Sequence, residues 1–112
     1  MINKIKIAII GLGYVGTPLA LSFAKHFDVI GYDVSKRRVL DLKNKKDTTK
    51  ETNFKDFLLA KKINFTNNEK KLWDCNIFIV TVPTPVNPNK IPDLKHVLNA
   101  SKLVGSYLKK ND

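Results

Sequence analysis

The sequence predicts an α/β protein built on a doubly wound parallel sheet. Short aliphatic runs alternate with longer amphipathic stretches in the order βαβαβαβα. The runs are apolar at consecutive positions, as strands covered on both faces are, and three glycines stand where the first run passes into the first amphipathic stretch. Right-handed crossovers between such strands place helices on both faces of the sheet. Four strands are counted where sheets of this kind usually have about six. The 112 residues are therefore expected to be one incomplete domain, truncated after about four strands, within a larger protein.

The first strand is read at 5–10 and the first helix at 14–26, with Val15, Leu19, Ala20 and Phe23 on its inner side. Pro18 falls in the first helical turn, where it sacrifices at most one bond. A second strand spans 29–32. Ser35 then caps a helix that runs to about Lys43 and turns Val39 and Leu42 inward. The polar segment 44–52 reads as a mobile surface loop. A short helix at 54–61 carries Phe54, Phe57 and Leu58; a strand at 63–66, a brief helix at 67–73 and the strand "NIFIVTV" at 76–82 follow. Prolines at 83, 85, 88 and 92 stop that strand, because they lack the N–H that a ladder or helix needs. Asp93 opens a last helix to about Lys109, with Leu94, Val97, Leu98, Val104, Tyr107 and Leu108 as its apolar face.

The composition narrows the partners. A content of 43% hydrophobic and 27% charged residues is that of an ordinary globular domain, and no apolar run is long enough to span a bilayer. The start Met1-Ile2-Asn3-Lys4 lacks a cleavable leader, so a cytoplasmic location is expected. The net charge of +10 raises nucleic acid as a partner. However, the lysines are dispersed over several elements without interleaved aromatics, which indicates a solvated surface and no nucleic-acid partner. A single cysteine, Cys75, precludes an internal disulfide and reads as a small buried apolar residue. His26 and His96 read as surface or boundary residues of helices.

The glycines carry the chemistry. Gly11 supplies the turn out of the first strand, Gly13 lets a diphosphate approach the backbone, and Gly16 lets the helix pack close to the sheet. Helix N-terminal amides around residues 13–15 would face the phosphates. Glycines at this spacing also occur in turns that bind nothing. Here they follow a strand, open a helix, and precede Asp33, twenty residues after Gly13 at the end of the second strand. Together these features predict a Rossmann-type dinucleotide site. The Asp33 carboxylate should accept from the adenosine ribose and repel a 2′-phosphate, which favours NAD over NADP; Arg37 and Arg38, one helical turn away, argue the other way.

The stretches "IAIIGLGYVGTPLALSFAK", "VIGYDVSKRRVLDL", "DTTKET" and "VTVPTPVNPNKIPDLKHVLNASKLVG" resemble the N-terminal NAD-binding domain of the UDP-glucose/GDP-mannose dehydrogenase family over essentially the whole chain, with the nearest likeness to bacterial UDP-N-acetylhexosamine 6-dehydrogenases. The resemblance implies oxidation of a nucleotide-sugar C6 hydroxyl to a carboxylate in two NAD-dependent steps, through a thiohemiacetal on a cysteine, for surface polysaccharide synthesis. It places Gly11, Gly13, Tyr14 and Val15 at the pyrophosphate, Asp33 and Arg38 at the adenosine ribose, and Thr84 near the nicotinamide side, with Gly16 and Pro83 also expected among the cofactor-binding residues. Thr84 also fits because ligands lie beyond the carboxyl ends of parallel strands. The "DTTKET" loop approaches the active-site side in such proteins.

The family's nucleophilic cysteine and assisting lysine lie in a second domain with no counterpart here, so the chain alone is expected to hold a cofactor without turnover. No metal site is expected. A non-catalytic dinucleotide-sensing or protein-interaction module remains the alternative reading. An unpaired edge on the fourth strand predicts self-association.

Overall fold

The computed structural model describes residues 4–112; Met1, Ile2 and Asn3, on which the expected lack of a leader partly rests, lie outside the described residues. Strand β1 (Lys6–Ile10) lies between β2 (Asp28–Tyr32) and β4 (Ile77–Val80), and β3 (Ile63–Thr66) pairs with the far side of β2. All pairings are parallel, with Ile10 opposite both Tyr32 and Val80 at the carboxyl ends. The doubly wound sheet expected from the sequence is present with four strands in the order β3-β2-β1-β4.

Successive residues of β1 face opposite sides, and each side has its own core. Ile7 and Ile9 pack with Ala20 and Leu21 of α1 (Gly16–Phe23), Val39 and Leu42 of α2 (Lys36–Lys43), and Phe57 of α3 (Phe54–Leu59). Ala8 and Ile10 pack with Leu72 of a 3-10 turn (Glu69–Leu72), Cys75, and Ala100 of α4 (Lys95–Tyr107). This two-sided burial explains why the strands are continuously apolar. At the opposite end of the sheet, Asn76 fixes β4 to β1: its Oδ1 accepts from the Lys6 amide at 3.0 Å and its Nδ2 donates to the Lys4 carbonyl at 2.8 Å.

Several helix faces differ from expectation. The first helix is shorter than 14–26, and Val15 sits exposed at its N-cap instead of on the inner side, because the turn that delivers the chain into α1 points residues 14 and 15 outward. Pro18 occupies the third helical position, whose N–H has no intrahelical acceptor in any case. In α3 only Phe57 is buried, and Phe54 and Leu58 stand in solvent, since six residues expose all but one narrow stripe. The last helix starts at Lys95, where Asp93 Oδ1 accepts the Lys95 amide at 2.9 Å, and it meets β4 through Ala100, Leu103, Val104 and Tyr107. Leu94, Leu98 and Leu108, read as part of that face, are exposed.

The chain steps from β1 outward through β2 to β3, then returns to place β4 on the other side of β1. A crevice must open where the connections diverge at the carboxyl ends of β1 and β4.

Candidate dinucleotide site

At that crevice lies a cavity of about 760 Å³, walled by the turn after β1, the ends of β2 and β4, and the inner side of α4. Its size suits a cofactor-scale ligand. The turn after β1 forms one wall. Gly11 has φ +103°, and a Cβ there would meet the backbone of Thr81 and Val82 at about 3 Å. A side chain is excluded both by the backbone conformation and by the approach of β4. At Gly16 a Cβ would fall 1.8 Å from the Gly11 carbonyl oxygen, so this glycine lets α1 start against the turn. Gly13 differs from both: a Cβ there would have no neighbour within 4 Å. No protein atom requires a glycine at that position, and Gly13 lines the cavity.

The turn is braced on both sides of Leu12. The Leu12 amide donates to Asp33 Oδ2 at 2.8 Å, and the Leu12 carbonyl accepts from Arg38 Nε at 2.6 Å and from the buried Thr17 hydroxyl at 2.8 Å. Thr81 adds a bond from its hydroxyl to the Gly11 carbonyl at 2.7 Å, and the Gly11 amide donates to the Tyr32 carbonyl at 2.8 Å. Asp33 Oδ1 also accepts the Ser35 amide at 2.9 Å. Each Asp33 oxygen retains a second lone pair, and the residue lines the cavity. The Tyr32 phenol, also on the cavity wall, is pushed up by burial and by the charges of Glu69 and Asp33, so it stays neutral.

Arg38 is the busiest side chain. Beyond Leu12, its Nη2 donates to Thr17 Oγ1 at 3.0 Å, and its Nη1 meets Asp47 Oδ1 at 2.9 Å and Thr48 Oγ1 at 3.4 Å. These contacts use four of the five guanidinium N–H groups. Arg37, by contrast, is exposed and pairs with Asp41 at 3.5 Å.

Asp47 organises the segment expected to be a mobile loop. One oxygen accepts from the Thr49 amide and hydroxyl at 3.0 and 2.6 Å, the other from the Thr52 amide and hydroxyl at 3.1 and 2.6 Å. Its side chain is only 1% exposed. Burial alone would raise its carboxyl, but the bonds from Thr49, Thr52 and Arg38 outweigh that and hold it at about 2. The loop thus folds around a buried carboxylate and presents Thr48 and Thr49 to the cavity.

Of the residues expected at the site, Gly11, Gly13, Asp33, Arg38 and Pro83 come together on the cavity wall. Gly16 is packed behind the turn, and Tyr14 and Val15 are exposed at the start of α1. Thr84, one residue past Pro83, is exposed and off the wall. The "DTTKET" segment reaches the cavity through Thr48 and Thr49, whereas Thr17, Glu69, Thr81 and the buried role of Asp47 were not legible in the sequence. His96, expected to be an ordinary surface residue, is exposed yet lines the cavity. Cys75 is fully buried, with burial pushing its thiol up to about 11, in keeping with a small core residue. No helix among the described residues is long and apolar enough to cross a membrane.

Comparison with known proteins matches this geometry. The signature of the UDP-glucose/GDP-mannose dehydrogenase family, NAD binding domain, covers residues 5–112. The chain is 48% identical to a UDP-N-acetyl-D-glucosamine 6-dehydrogenase of Salmonella typhi over 99% of its length, and 44% identical to the Pseudomonas aeruginosa protein of the same name over 98%. It spans 26% of each of those relatives. Among solved structures, the UDP-D-ManNAc dehydrogenase of Pyrococcus horikoshii superposes on 96% of the chain, which spans 27% of that structure, with TM-score 0.82 at 28% identity. A ternary complex of GDP-mannose dehydrogenase from Pseudomonas aeruginosa superposes on 88%, corresponding to 24% of that structure, with TM-score 0.79 at 25% identity. Matched over residues 5–112, the chain belongs to the UDP-glucose/GDP-mannose dehydrogenase family, as its NAD binding domain.

Proposed function

We propose that the chain is the cofactor-holding part of a UDP-sugar 6-dehydrogenase, acting in the cytoplasm on a UDP-hexose or UDP-N-acetylhexosamine for surface polysaccharide synthesis. The observation that carries this reading is Gly13, a glycine whose missing side chain leaves space that no protein atom uses, on the wall of a cavity that Asp33 also lines. The diphosphate of NAD would lie against the backbone at Gly13, with the amides at the start of α1 directed toward it. Asp33 would accept from the adenosine ribose with its remaining lone pairs, and Pro83 would flank the nicotinamide at the end of β4.

The arrangement of Arg38 supports NAD over NADP. Its one remaining N–H suffices for a ribose hydroxyl, whereas a phosphate is best held by a free guanidinium fork. NAD, when bound, accepts hydride from the substrate carbon; the chain's own residues hold and orient it. Cys75 takes no part, because it is buried and its thiol stays protonated. The nucleophile and the sugar pocket belong to a further domain, and the open edge of β4 favours self-association.

Calorimetric titration with NAD tests the reading, with Gly13→Val as the control. The variant adds a side chain where the folded protein has room, so it is expected to keep its thermal transition and lose at least about 100-fold in NAD affinity, as a blocked diphosphate would require. Equal NAD binding by both proteins would overturn the proposed site.

A further inference from the structure

We infer that Asp47 sets cofactor discrimination: by pairing with Arg38 it keeps the guanidinium from serving as a 2′-phosphate receptor. This inference rests on the reading that the cavity holds NAD. The geometry begins at Leu12, whose amide is held by Asp33 and whose carbonyl is held by Arg38. The carboxylate that grips a ribose and the guanidinium that could grip a ribose phosphate therefore flank a single residue, and both line the cavity. Which of them governs the adenosine end depends on whether the guanidinium is neutralised.

Asp47 neutralises it. The pair is 2.9 Å apart with side chains 12% and 1% exposed, so solvent screens it little. Asp47 is itself fixed by four bonds from Thr49 and Thr52 and cannot swing away to release its partner. Two carboxylates and one guanidinium leave the β2 end of the cavity net negative, and Glu69 on the same wall adds to this. A 2′-phosphate would enter an anionic corner whose lining arginine is already occupied. Asp47 is itself off the cavity wall and acts on the cofactor through the arginine.

The test is the ratio of NADP to NAD dissociation constants, measured by titration on the parent chain and on Asp47→Asn. The isosteric amide can still accept from Thr49 but no longer cancels the charge of Arg38. NADP affinity is expected to rise on the order of tenfold relative to NAD. Asp47→Glu should keep the parental ratio, and Asp47→Asn combined with Arg38→Met should lose the gain, since the gain needs the guanidinium. Should the Asn variant lose its thermal transition, Asp47→Ser serves the same comparison. A folded Asn or Ser variant with the parental ratio, or a gain that persists without Arg38, would overturn the inference while leaving the NAD site standing. Failure of the parent chain to bind NAD would overturn both.

Discussion

Gly11, Gly13 and Gly16 have three different physical reasons for being glycine. Gly16→Ala is expected to destabilise the fold by several kcal/mol, on the order of 3, because the added methyl collides with the Gly11 carbonyl and neither backbone can yield freely. A urea titration that found the variant as stable as its parent would contradict this close approach. The sequence motif conveyed the turn at Gly11 and the close packing at Gly16, since each follows from its place between strand and helix. It did not convey Asp47. Nothing in "NKKDTTKET" distinguishes a carboxylate that ends up buried from one that stays in solvent; the difference is made by two threonines and by Arg38 on the preceding helix. Because the folded Asp47 carboxyl lies at about 2, below its ordinary value of 3.8, its ionised form stabilises the folded state. That contribution, about 2 kcal/mol, is fully present above pH 4 and is lost as the pH falls toward 2. Denaturant titrations between pH 6 and 2 should show the loss, and Asp47→Asn should flatten it.

At the scale of elements, α2 serves as the mount for Arg38. Its N-cap Ser35 accepts the Arg38 amide at 3.1 Å and is itself tied to Asp33 through its own amide. Helix start, the Asp33 carboxylate and Arg38 are thus linked by two hydrogen bonds, from the Ser35 amide to Asp33 and from the Arg38 amide to Ser35. Ser35→Ala is expected to cost about 1 kcal/mol of stability and to weaken NAD binding slightly, detectable by thermal unfolding and titration together. Capping and strand assignments were readable because they depend on near neighbours. The apolar face of α4 was misread in part, because a recurring leucine pattern does not say which stripe meets the sheet. Packing against β4 selects Ala100, Leu103, Val104 and Tyr107, leaving Leu94, Leu98 and Leu108 outside.

For the whole molecule, the doubly wound parallel sheet and its four strands were legible from the alternation of elements, whereas the strand order is set by which strands pair. Strand β4 pairs with β1 alone among the described residues, and its Ile77 and Val80 are each 40% exposed. Light scattering on the chain is expected to show association at high concentration, and Ile77→Lys should reduce it by placing a charge on the open edge. A concentration-independent monomer would refute this. A different consequence attaches to Leu12, whose amide and carbonyl are both anchored by side chains from elsewhere in the chain. With that peptide immobilised before any nucleotide arrives, capture requires no reshaping of its receptor. Encounter should proceed as a single kinetic phase whose observed rate rises linearly with nucleotide concentration, with no plateau to report a slow rearrangement.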